Sequence, residues 1–238
     1  TSTLTLTGSN TYNGAITINA GTLQVGSTGL LGGGSYSGNI AINGASTSFL
    51  YSGTSSQTIS GAVSGNGAFT MNGTGTLTFS GAKSYTGGTT VNAGTLSLAN
   101  AGADGTIRGN LTINQGARVD ANATNWSLGY GGTQNYFGNS VSAITINGGT
   151  LNFTDTTSDG GIVAATTVLT GGTISSAGNF AFLSTYTYNQ TVQSLASANR
   201  STIASGIALR MNFSPIGNLI FDVASGTTSD GIDLQVNG

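Results

Sequence analysis

Thr3–Val25 reads TLTLTGSNTYNGAITINAGTLQV, and Thr76–Leu98 reads TLTFSGAKSYTGGTTVNAGTLSL. The two stretches align without a gap, Thr3 on Thr76 and Val25 on Leu98, and 12 of their 23 positions are identical. A glycine, a tyrosine and the run Asn-Ala-Gly-Thr-Leu keep their places. Within the first copy, Ile16 and Ile18 flank Thr17, and Leu23 and Val25 flank Gln24. Alternation with a period of two is the pattern of a half-buried strand. Asn19 and Gly21 sit between the two runs, where a bend needs left-handed or otherwise unusual backbone. The residues therefore read as strand, tight corner, strand.

A shorter unit, apolar-x-apolar-Asn-x-Gly, recurs along the chain. It appears at Ile16–Gly21, Ile40–Ala45, Leu111–Gly116 and Ile144–Gly149, and with Thr in the first slot at Thr89–Gly94. In three of these five places Gly-Thr-Leu-x-apolar follows directly: Gly21–Val25, Gly94–Leu98 and Gly149–Phe153. Two all-β arrangements accommodate the pattern. Asn43-Gly44 and Asn147-Gly148 are pairs that close antiparallel hairpins. Alternatively, each corner turns the chain through part of a circle, and strands stack in parallel on the next coil. Recurrence of like strands with like corners favours the coil. Stacking puts Thr over Thr and Asn over Asn, in ladders that satisfy hydroxyls and amides. With about 4.8 Å between coils and roughly 20 to 25 residues per coil, the chain makes about ten coils and a rod of around 50 Å.

Composition agrees with this reading. Charged residues are 5% of the 238, against roughly 25% in ordinary soluble domains. Glycine fills 40 positions and proline one, Pro215. Disordered chains are usually charged or proline-rich and poor in β-branched residues, whereas Thr, Val, Ile, Tyr and Phe abound here. There is no cysteine, histidine or glutamate, so no disulfide or thiolate metal site is possible. Absent cysteine is compatible with bacterial export. Lys83, Arg108, Arg118, Arg200 and Arg210 are the only cations, and the net charge is −2. Nucleic-acid binding by phosphate neutralisation is not expected. No run of about 20 apolar residues is present to span a membrane as a helix. Thr1 already lies in strand pattern and Ile232–Val236 ends in it. The chain thus reads as mature, or as a segment or subunit of something longer.

Three stretches depart from the rhythm: Ala121–Gly138, with Trp126, Tyr130, Tyr136 and Phe137; Thr154–Gly161, with Asp155 and Asp159; and Asn179–Ser205. Loop excursions from the coil are expected there. Neither a helix-period segment nor a linker divides the chain, so residues 1–238 read as one β-solenoid domain.

The two long copies resemble the passenger-associated β-strand repeat of bacterial autotransporter-type proteins. The run Gly61–Phe69 is similar to that family's spacer between repeats. The closing Leu219–Gly226 with Ser229-Asp230 resembles the end of such arrays. Explicit motifs cover about a quarter of the chain. The resemblance implies an all-β, right-handed parallel β-helix, export to the cell surface or beyond, and a role as stalk, adhesin or surface fibre. It brings no catalytic residues and no cofactor.

The residues themselves offer little chemistry. Without histidine or cysteine the common nucleophilic triads are absent, and the many serines read as turn and ladder residues. Paired carboxylates are the remaining catalytic route, from Asp104, Asp120, Asp155, Asp159, Asp222, Asp230 and Asp233. Arg118 and Asp120, two apart on one strand face, form the best cluster for a polysaccharide-cleaving β-helix. The plainer reading is an exposed ion pair of small worth. Asp155–Gly160 offers oxygens for calcium without the twelve-residue loop pattern, and reads as a polar turn. Gly33-Gly34 and Gly131-Gly132 lack the Lys-Ser/Thr of a phosphate loop and read as corners. Trp126, Tyr130, Tyr136 and Phe137 are the candidate contacts to a glycan or a partner surface. The expectation is a non-catalytic structural segment that self-associates through its solenoid ends into a fibre. A glycan- or host-binding adhesin is the first alternative and a polysaccharide-cleaving enzyme the second.

Overall fold

The structure is a computed structural model that describes residues 2–100, 106–122, 127–129, 141–154, 161–162, 164–177, 180–183, 189–204, 207–210 and 218–237. Every strand pairing among the described residues is parallel; representative rungs are Thr22–Ser27 on Ser48–Gly53 and Arg118–Ala121 on Thr150–Phe153. The hairpin arrangement is therefore not adopted. At Asn43-Gly44 the chain turns a corner, with Gly44 at φ +101°, and runs on into the next wall.

The strands form the walls of a β-solenoid. A ten-stranded sheet is the first wall, running from Thr3–Leu6 at one edge to Leu219–Val223 at the other. A nine-stranded sheet is the second, from Ser35–Tyr36 to Leu234–Asn237. Among the described residues the third wall is discontinuous. Ile16–Ile18, Ile40–Ile42 and Val63–Gly65 form one three-stranded sheet, and Gly161–Ile162, Phe180–Leu183 and Ile207–Arg210 form another. Between them a single bridge joins Val63 to Lys83. Coil length varies: a short coil brings Thr89 beside Phe69, and a much longer one brings Ile144 beside Leu111. The stretch Ala121–Gly138, where an excursion was expected, lies between those two rungs in the sequence. That stretch and Thr154–Gly161 fall largely outside the described residues. Within Asn179–Ser205 the strands Phe180–Leu183, Gln190–Ser194 and Ser201–Ala204 are regular rungs of the three walls, which the expectation of an excursion did not foresee, while residues 184–188 lie outside the described residues. Val192 and Ile203 keep the inward slots there, which is all a rung requires.

The core follows from the period of two. Ser48–Gly53 alternates half-buried and buried along its whole length. Equivalent inward residues then stack in register: Leu23 on Phe49, Phe49 on Phe69, Phe69 on Thr89, Thr89 on Leu111. Each fully buried aliphatic or aromatic side chain in such a column contributes about 1.5–3 kcal/mol. The early coils are aromatic inside, with Phe49 and Phe69 centroids 5.7 Å apart and Phe69 and Phe79 centroids 5.0 Å apart. In the later coils the Phe49–Phe69 column passes to Leu111, Ile144, Thr167 and Val192.

Candidate functional site

Three polar or open features stand out on this stack: the asparagine corners, an outward cluster on the second wall, and the two ends.

The recurring asparagines build ladders. At the corner from the third wall to the first, Asn43 Nδ2 donates to Asn19 Oδ1 at 3.0 Å. At the corner from the first wall to the second, Asn92 donates to Asn72 at 2.7 Å, Asn114 to Asn92 at 2.5 Å and Asn147 to Asn114 at 3.1 Å. Each interior amide in the longer ladder gives one bond and accepts another, so the column satisfies itself. The glycines beside these corners have positive φ, +74° at Gly21 and +67° at Gly94. A Cβ on either would collide with a carbonyl oxygen of the previous rung, Ser2 or Gly73. Asparagine and glycine recur here because the corner needs them.

The second wall brings Arg118 and Asp120 together, as their spacing suggested. Arg118 Nε donates to Asp120 Oδ1 at 2.6 Å. Asn152, one rung on, donates to the same oxygen at 3.0 Å, and Ser175 Oγ donates to Asn152 Oδ1 at 2.7 Å. These three rungs are in register. Paired-carboxylate catalysis needs a second carboxyl group within about 5–9.5 Å, whereas Asp120 is the sole carboxylate of this hydrogen-bonded cluster. The other described aspartates hold local structure. Asp233 accepts from Gly226 N at 2.9 Å and Thr228 Oγ1 at 3.2 Å, Asp230 accepts from Ile232 N and pairs with Arg200, and Asp222 accepts from Gln193. Asp233 thereby pins the turn before the last strand. Asp104, Asp155 and Asp159 lie outside the described residues, as do Trp126, Tyr130, Tyr136 and Phe137. Gly33-Gly34 belongs to the short 3-10 turn Gly32–Gly34. Among the described residues no three acidic side chains are grouped to hold a metal ion, and no helix is long and apolar enough to cross a membrane.

Apolar side chains are exposed at both ends of the stack. Leu4 is 63% exposed and Tyr12 58%; at the other end Ile220, Phe221, Val223, Ile232 and Val236 are exposed. A depression of about 210 Å³ at the first end is lined by Leu4, Ile16, Ile18, Thr22 and Leu23. One interior residue was not singled out by its sequence. Lys83 counted only among the few cations, yet it is fully buried. The one available signal was its place in the repeat, where the first copy has Asn10.

Residues 1–25 and 69–98 match the family model of the passenger-associated-transport-repeat. No curated protein and no solved structure matches the chain. The repeat family implies a secreted or cell-surface protein. With that repeat at two places on a stack of parallel rungs, the chain fits an autotransporter passenger repeat protein.

Proposed function

We propose that this chain is a non-catalytic structural segment of an exported bacterial passenger, a stalk built of stacked rungs whose ends add further rungs head to tail from a second copy. The observation that supports this most is the parallel ladder of the first wall, which takes a further rung at either edge, from more of the same chain or from a second copy. Thr3–Leu6 and Leu219–Val223 are the outer strands of one parallel sheet, and Leu4, Phe221 and Val223 on them are exposed. An open strand edge is a template for another strand. Edges of the same wall and the same strand direction pair heterologously, which produces a filament rather than a closed dimer. The Arg118–Asp120–Asn152–Ser175 network supports the non-catalytic part, since its groups already satisfy one another.

Sedimentation velocity and negative-stain electron microscopy over a concentration series test the assembly. Rods that lengthen with concentration, and that stay short in Leu4→Lys, are the expected result. Monodisperse short particles at every concentration reject it. New chain ends released from acidic or neutral polysaccharides, and lost in Asp120→Ala, would overturn the non-catalytic reading.

A further inference from the structure

The gap-free alignment of the two copies places Asn10 and Lys83 at the same point of the repeat, and Gly8 and Gly81 at another point just before them. The side chains do the same job. Asn10 Nδ2 donates to Gly8 O at 2.7 Å and to Leu30 O, on a neighbouring strand, at 3.1 Å. Lys83 Nζ donates to Gly81 O at 2.6 Å and to Gly61 O, on the previous rung, at 2.9 Å. In each copy a polar side chain clamps its own glycine corner to an adjacent strand. Their surroundings differ. Asn10 is half-buried, whereas Lys83 is 1% exposed and its nitrogen lies 5.1 Å from the centre of the Phe79 ring. Lys83 also stands where the third wall loses its sheet, at the lone bridge to Val63.

We propose that Lys83 is a pH-operated latch on the third wall: as a neutral amine it ties the Gly61 and Gly81 corners together, and as an ammonium it loosens them. A neutral amine has two N–H donors, and the site provides two carbonyl acceptors. An ammonium carries a charge into the interior, where the two carbonyls and the Phe79 face offset only part of its desolvation cost. Burial brings Lys83 from 10.5 to about 7. Val63 and Gly61 come from the previous rung, Phe79, Gly81 and Tyr85 from its own, and Thr106 from the next, where Thr106 O accepts from the Lys83 backbone N–H. Of these only Tyr85 titrates, and burial pushes its phenol up, away from neutrality. Further along the chain are Arg108, half-buried, and Asp104, which lies outside the described residues. Among the described residues no carboxylate pairs with Lys83. The chain has neither histidine nor cysteine, so no other side chain ordinarily titrates between about pH 6 and 9.

Lys83 is the chain's single lysine, so a ¹³Cε-lysine label reports on it alone. The latch predicts a titration midpoint near 7 in the folded chain. It also predicts that the unfolding equilibrium constant, from urea curves, falls roughly a hundredfold from pH 6 to pH 9 by linkage. Lys83→Asn, which borrows the first copy's donor, and Lys83→Met both lose that dependence. A resonance that stays ammonium-like up to pH 10 overturns the proposal. So does an equal pH dependence in the Lys83 variants, or a midpoint that moves in Asp104→Asn, which would make Asp104 its ion-pair partner. Should the Lys83 variants not fold, the titration of the unaltered chain decides alone.

Discussion

The two copies of the long repeat share about half their residues and almost none of their surroundings. Leu4 is 63% exposed and Leu77, its equivalent, is fully buried; Tyr12 is 58% exposed and Tyr85 fully buried. They also sit on different walls. Thr3–Leu6 is the edge of the ten-stranded sheet, whereas Thr76–Phe79 lies inside the nine-stranded one. The first wall runs through Thr3, Thr22, Ser48 and Ala68, so Thr76 falls past it, on the wall that follows. What the copies keep is internal. In each, the first strand pairs with the last in the same register, Thr3 with Thr22 and Thr76 with Thr95. In each, the corner glycine has positive φ. The repeat thus encodes one turn of the coil with its corner, and any wall can receive it. Burial comes from the neighbouring rungs.

The comparison breaks most sharply at the paired leucines. Leu77→Ala should cost about 2–5 kcal/mol, as truncations in a packed core do, while Leu4→Ala should stay within about 0.5 kcal/mol. Urea unfolding of both variants measures the gap, and equal losses would mean that the first copy is buried in solution. A head-to-tail neighbour would do that, so the pair is best measured at low concentration.

The Asn10–Lys83 pair comes next. A lysine whose folded value lies below its unfolded value binds fewer protons folded than unfolded between about pH 7 and 10.5. Stability therefore rises with pH through that window, and the penalty is complete below it. The gain from pH 6 to 9 should be about 2–3 kcal/mol in the unaltered chain, and Asn10→Ala should leave its slope unchanged. The tyrosines follow. Tyr85 OH and Thr89 Oγ1 lie 2.5 Å apart in the core, so Tyr85→Phe strands a buried hydroxyl at about 1–3 kcal/mol. Tyr12 bonds Ala15 O at the surface, and Tyr12→Phe should be neutral in the same denaturation assay. The corners come last. Asn92→Ala removes two ladder bonds, to Asn72 and from Asn114, and Asn19→Ala removes one. At about 0.5–1.5 kcal/mol per bond, thermal melting should rank Asn92→Ala as the more damaging.

Most of the rung was legible beforehand. Ile16, Ile18, Leu23 and Val25 alternate as a strand face must, and Asn19 and Gly21 name the corner. Stacking of like on like followed from the recurrence of Asn-x-Gly, and the ladder from Asn72 to Asn147 realises it. Less legible was Asn179–Ser205, whose irregular spacing reads as an excursion although Val192 and Ile203 hold inward slots. A rung tolerates connecting segments of any length once its few inward residues are in place, so spacing alone misleads. The Arg118–Asp120 pair was visible as a pair. Its absorption by Asn152 and Ser175 was not, because those partners are far from Asp120 along the chain and only one and two rungs away in space.

The sequence by itself determined the period of the strands, the chemistry of the corners and the one-turn unit that joins them. All of these depend on residues within about one turn of each other, where alternation and glycine's backbone freedom act locally. Only the tertiary structure decided which wall each copy occupies, which of two equivalent tyrosines is buried, and that Lys83 lies in the core while Asn10 does not. Those outcomes depend on the summed lengths of intervening coils and on whether a rung lies on both sides. Burial is a property of neighbours across the stack, and neighbours across the stack are distant in the chain.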